Sequence, residues 1–252
     1  MSDILILGPV DVESELDRLA VEYRAAGGLG VQMLTALGGK AEGLIDRLPP
    51  SVRAGLGDAT AQALTLAMQA AQSSRRAVPD QKPWVNRAVT TAMGAAGGYG
   101  GLPTALIELP ATTAVLLRSI QGTAAGLGFD PESESVRFDC IRVFAAAGPL
   151  AEDDGADLGF VSLRLTLTGG ATHRLIAAVA PKLATALGQK LAAQTVPVLG
   201  AVAGATANYV YTGYYQRIAR VHFGLRRLAI DADLPQEELV RRLTLRLRGQ
   251  LK

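Results

Sequence analysis

The sequence predicts an all-α protein, a single domain of closely packed helices rich in glycine and alanine, with no sheet. Three observations lead there. Apolar residues recur at helical spacing through most of the chain. Hydrophobic residues make up 49% of it while aromatics make up only 5%, so the core draws on Ala, Leu and Val, which suit close helix packing. Glycine and proline fall between the periodic runs, where helices stop and start.

The elements follow in order. Asp11 to Ala26 carries Val12, Leu16, Leu19 and Tyr23 on one helical face, with acids crowding the first turn where the helix dipole favours them. Gly27-Gly28-Leu29-Gly30 breaks that helix, and a second periodic run ends at Pro49-Pro50. Ser51 is placed to cap the next, which runs through Leu56, Leu64 and Met68 to about Ala77. Trp84 to Gly98 is helical and dissolves into a glycine run, and Pro103 opens a helix to about Gly126. Asp130-Pro131-Glu132 signals a new start with Asp130 as cap, and that helix stops at Gly148-Pro149. Val161 to Thr168 alternates apolar and polar like a strand but also supports a helix. With no second strand to pair with, helix is the assignment. His173 to Gln194, Pro197 to about Leu228, and a final run from Pro235 complete the set. The domain thus divides into an N-terminal helical extension (1–80), a core (84–228) and a C-terminal amphipathic helix (235–250).

Composition closes off several function classes. A net charge of +2, with no basic stripe interleaved with aromatics, argues against nucleic acid. A lone cysteine, Cys140, implies no disulfide framework. The first residues have an acid where a signal peptide needs a basic region, so the expectation is cytoplasmic. Two stretches, 88–107 and 191–216, carry no charge and by length could reach across a bilayer. Both are rich in Gly, Ala and Thr and contain proline (Pro103, Pro197), which weakens insertion and favours burial within the domain.

Glycines fall four apart repeatedly: Gly94 with Gly98, Gly97 with Gly101, Gly200 with Gly204. That spacing puts both members on one helix face, where another backbone can approach. The plain reading is helix packing; the sharper one is a surface that meets lipid. The Gly97–Gly101 run is not a nucleotide loop, because Leu102-Pro103-Thr104 follows it instead of Lys and Ser or Thr. His222 and Arg226 stand one turn apart beside an apolar stripe, with Arg227 next to them. They are either core-edge residues or donors to an anionic headgroup. Glu108 is the lone acid of a long uncharged region. It either faces a loop or pairs with Arg118, or else serves as a buried base. No metal, cofactor or hydrolase motif is present, so no catalytic residue, metal ligand or cofactor is assigned.

Two blocks together resemble the EcsC protein family. The first is Trp84 to Pro103, continued by Glu108-Leu109-Pro110, Thr113, Arg118-Ser119-Ile120 and Cys140 to Phe144. The second is Gln194 to Ala205, then Asn208, His222-Phe223 and Arg226-Arg227-Leu228. Ala229 departs from the pattern, which tends to an acid there. The resemblance implies a helical bacterial protein linked to transporter and secretion functions, and no reaction. Glu108, Arg118, Asn208, His222, Arg226 and Arg227, which fall within these blocks, are the candidate binding residues.

The function expected is non-enzymatic: a peripheral membrane-associated protein at the inner face of the membrane, binding lipid or an ABC-transporter or secretion partner. The rival readings are a hydrolase using Glu108 and His222, and a regulatory scaffold acting by protein contacts alone. The basic amphipathic helix after Pro235 either adds membrane affinity or docks its leucines on the domain.

Overall fold

The amides of Glu13 and Ser14 donate to Asp11 Oδ1 at 3.1 and 3.2 Å, and α1 (Val12–Ala26) starts on that cap. The computed structural model describes residues 10–27, 46, 48–145, 171–193 and 199–249. After α1 come α2 (Pro50–Ala77), α3 (Pro83–Tyr99), α4 (Leu102–Gly126), α5 (Glu134–Phe144), α6 (Ala171–Ala193), α7 (Leu199–Asp231) and α8 (Gln236–Gly249). Among the described residues there is no strand, as expected. The Val161–Thr168 segment, the periodic run before Pro49 and the Gly148-Pro149 stop lie outside them.

Two predicted caps are corrected. Ser51 lies inside α2, which begins on Pro49-Pro50. Proline at the first helical position is already set to the helical φ and has no amide to satisfy. Asp130 does not cap α5 either. Its carboxylate takes the Glu132 amide at 2.9 Å in a local turn, and Ser133 caps the helix by accepting from Val136. That helix ends at Phe144.

The uncharged stretch 88–107 is not one helix. α3 ends at Tyr99 and the chain reverses over Gly100-Gly101, where Gly101 takes φ +72°, a conformation only glycine holds cheaply. Thr104 Oγ1 clamps the reversal by donating to the carbonyls of Gly97 (2.6 Å) and Gly101 (3.0 Å). Among the described residues no helix is long and apolar enough to cross a membrane.

α3 and α4 therefore form an antiparallel hairpin, and α7 lies along it. Gly94 meets Gly204 and Gly98 meets Gly200, so α7 runs antiparallel to α3. Asn208 reaches Glu108 and Gln216 reaches Ser119, so it runs parallel to α4. The main core fills the other side of α7, where Phe144 stacks on Tyr215 with ring centroids 4.8 Å apart and α1, α5, α6 and α8 pack around them. Glu22 of α1 takes both Arg217 and Arg220 of α7 at 3.1 Å. A smaller cluster of Leu48, Leu56, Ala105, Leu109 and Ala184 ties α2 and α6 to the start of α4.

The apolar face of α8 docks on the domain. Leu239, Leu243 and Leu247 are buried in the main core, while Arg242 and Arg246 pair with Glu13, and Arg246 also with Asp17, on α1.

Candidate functional site

The residues at the α3–α7 contact follow a four-residue period on both helices. Asn86, Thr90, Gly94 and Gly98 form one stripe, and Gly200, Gly204, Asn208, Thr212 and Gln216 form the other. A helix places such residues in one near-axial row, so two rows of small or polar side chains can meet along their length. At the glycine end the two backbones touch. A Cβ on Gly94 would overlap the Gly204 carbonyl, and one on Gly98 would overlap that of Gly200. Gly97 faces α4, where an added Cβ would stand 2.9 Å from the Glu108 Cβ. The predicted packing glycines Gly94, Gly97, Gly98, Gly200 and Gly204 thus lie at helix contacts, while Gly101 makes the turn.

Below the glycines the seam becomes polar and stays buried. Asn208 Nδ2 donates to the Thr90 carbonyl at 2.7 Å and to Glu108 Oε1 at 2.9 Å, and the Thr112 hydroxyl donates to the same carboxylate oxygen. The Thr90 and Thr212 hydroxyls share a bond of 2.7 Å, with both residues fully buried. One turn on, Gln216 Nε2 donates to the Pro83 carbonyl (2.8 Å) and to Ser119 Oγ (3.0 Å), and its Oε1 accepts from Arg87 at 3.2 Å. Arg87 closes the seam by lying over the Tyr209 ring, 5.1 Å from its centroid. Buried amides and hydroxyls persist only when bonded, and here they bond to one another across three helices.

The outward side of the same helices is apolar. α3 exposes Trp84, Ala88, Val89, Ala92, Ala96 and Tyr99, α4 exposes Leu106 and Ile107, and α7 exposes Val202 and Tyr209. Ile107 is 78% exposed. From Ala88 to Tyr99 and from Leu199 to Gln216 neither helix carries a charge. A surface helix ordinarily does the reverse, with polar residues outward and apolar ones inward.

The other predicted site residues fall elsewhere. His222 and Arg226 converge on Asp139 of α5, with His222 Nε2 3.3 Å from Oδ1 and Arg226 donating to Oδ2 at 2.7 Å. Arg142 stands 3.5 Å from the same carboxylate, and the Arg226 guanidinium covers Phe129. Burial pushes the Asp139 carboxyl up, but its bond to His222 and the charges of His222, Arg226 and Arg142 outweigh that and hold it below the ordinary value. The place that the sequence offers to an anionic headgroup is thus occupied by the protein's own carboxylate. Arg118 does not pair with Glu108. Its guanidinium is taken by Ser74 Oγ (2.6 Å) and by the Val78 and Pro79 carbonyls, and it lies 3.7 Å from Asp80. Arg227 pairs with Asp231 one turn away on the surface. Cys140 is wholly buried, and that burial pushes its thiol up, away from the thiolate form that reacts.

Glu108 and His222 belong to separate clusters. Asn208, which holds Glu108, and His222 lie fourteen residues apart on α7, about 21 Å of helix rise. They form no acid–base pair.

Sequence reasoning did not single out Thr90, Thr112, Thr212, Ser119, Gln216 or Asp139. Thr90, Thr212 and Gln216 carry a legible signal, the continuation of the glycine rows at the same four-residue step; Thr112 and Ser119, on α4, lie outside those rows. Asp139 carries little, because apart from Arg142 on its own helix its partners His222 and Arg226 sit on another helix some eighty residues away. The comparisons with known proteins find no matching curated protein and no matching solved structure. Against family profiles the chain matches the EcsC protein family over residues 39–228, a span that takes in α2 as well as the α3–α4–α7 layer and most of the chain; it belongs to that family.

Proposed function

We propose that this chain is a non-catalytic protein that docks on the surface of a lipid bilayer through the outward face of α3, α7 and the first turns of α4. The observation that carries this reading is the inverted layer. Its helices bury threonines, an asparagine, a glutamine and a glutamate between them and turn valine, isoleucine, leucine and aromatic side chains outward. Helix pairs that work in lipid are built this way, with small residues and polar bonds inside. In water the outward side chains gain nothing; set into hydrocarbon, Ile107 and Leu106 gain about 1.5–3 kcal/mol each.

The depth of contact follows from the charges. From Tyr99 back to Arg87 is about 18 Å of helix rise, close to one leaflet and far short of the roughly 30 Å hydrocarbon core. The face therefore suits one leaflet of a bilayer, with Trp84 and Arg87 at the headgroup level.

Co-sedimentation with phospholipid vesicles tests it. Ile107→Glu and Val202→Glu change exposed side chains, so both variants should keep the parent melting temperature and lose vesicle binding at least tenfold. Equal binding by parent and variants, or none by the parent, removes this reading. A parent that ignores vesicles favours the rival reading for this chain, a regulatory scaffold acting by protein contacts.

A further inference from the structure

The three helices of the apolar face end their uncharged stretches at one level, and each ends on an arginine. Followed away from the glycine end, α3 carries no charge until Arg87 and α7 none until Arg217. On α4 Glu108 is turned into the seam, and the next charge is Arg118. Gln216 marks the level. It precedes Arg217, accepts from Arg87, and donates to the Pro83 carbonyl and to Ser119, the neighbour of Arg118. Residues far apart in sequence thus close the apolar face along one line.

The surface charge along that line is positive in excess. Glu22 takes both Arg217 and Arg220, two guanidiniums to one carboxylate, and both side chains stay partly exposed. Lys82 is exposed and stands next to Pro83, whose carbonyl Gln216 holds. The partners of Arg87 are neutral: the Gln216 amide oxygen and the hydroxyl and ring of Tyr209. Arg118 turns inward to Ser74 and two carbonyls and shares Asp80 with Arg75, so it marks the level without adding to the surface. Lys82, Arg87, Arg217 and Arg220 therefore stand against one acid, Glu22. Beside an anionic surface each such cation strengthens binding roughly fivefold, over about one Debye length.

We propose that the surface met by the α3–α7 face is an anionic leaflet, with Lys82, Arg87, Arg217 and Arg220 set against its headgroup phosphates while the uncharged stretches enter the hydrocarbon. The band fixes which lipids are chosen and which way the helices point, and it rests on the membrane reading above.

The full chain is partitioned onto phosphatidylcholine vesicles with and without phosphatidylglycerol, at low and high salt. Lys82→Gln and Arg217→Gln each remove one cation from the band; the second leaves Arg220 with Glu22. Arg241→Gln removes one exposed cation from α8, and thermal unfolding checks that all three variants fold. The parent should bind the anionic vesicles more tightly, and high salt should erase the difference. Lys82→Gln and Arg217→Gln should each lower the ratio of anionic to neutral partition roughly fivefold, and Arg241→Gln should leave it unchanged. Equal binding of the parent to both vesicles overturns the band and leaves the membrane reading standing. A preference that survives both band substitutions, or that Arg241→Gln lowers as much, belongs to the net charge of the chain and overturns the band as well. No binding to either vesicle overturns both readings.

Discussion

The seam between α3 and α7 makes the sharpest demand on stability, and Gly98→Ala tests it. An alanine there sets its Cβ into the Gly200 carbonyl and against the Ala201 amide. Both are backbone atoms of a second helix, so no side-chain rotation relieves the clash and the helices must part. Overpacking of this kind costs about 1–3 kcal/mol. Replacing glycine by alanine within a helix returns about 0.5–1 kcal/mol, so the net loss is on the order of 1–2 kcal/mol. Gly57→Ala supplies the opposite sign. Gly57 lies within α2 with nothing within 4 Å of an added Cβ, so it keeps only the gain of about 0.5–1 kcal/mol. In a chain of this length each kcal/mol moves Tm by roughly 2–4 °C. Thermal unfolding followed by circular dichroism should place Gly98→Ala several degrees below the parent and Gly57→Ala about two above it. A Gly98→Ala variant melting at or above the parent temperature would show that the backbones do not touch, and the packing argument would fall with it.

Two further outcomes follow from the buried charges and the last helix. Asp139→Asn leaves Arg142, Arg226 and His222 without their carboxylate and should cost about 3–5 kcal/mol near neutral pH. Because the folded carboxyl is held below its ordinary value of 3.8, its stabilisation is full above that value and is lost as pH falls through the depressed one. The gap in urea stability between parent and variant should therefore close below about pH 4 and stay constant above it; a gap that is level across the acid range would show that Asp139 is not held ionised by its partners. Truncation before Pro235 uncovers the surface on which Leu239, Leu243 and Leu247 are buried, so it should lower the urea midpoint sharply. An unchanged midpoint would mean that α8 is not part of the domain.

Helix positions were legible in this chain because period and punctuation are local, and the packing glycines were legible because four-residue spacing is local too. What Glu108 does was not. Its partner Asn208 lies a hundred residues on, and no spacing within α4 reveals which helix will lie beside it. The same holds for His222 and Arg226, whose proximity on one turn was readable while the carboxylate that engages them was not. The orientation of α3 is the instructive case. Its stripe Asn86–Thr90–Gly94–Gly98 and its opposite stripe Trp84–Ala88–Ala92–Ala96 are both uncharged, so amphipathicity alone gives no direction, and by hydrophobicity the second should face inward. Close approach decides otherwise. Only the glycine stripe lets the α7 backbone come into contact, and only beside it do Thr90, Thr212 and Asn208 find partners in place of water. Turning the helix over would bury Trp84 and the alanines, yet it would set Cβ atoms where the two backbones now meet and strip Asn208 of its Thr90 acceptor. The apolar face is outward because the inward position is already held by a seam that only small and polar residues can make, and that displaced face is what the membrane reading has to account for.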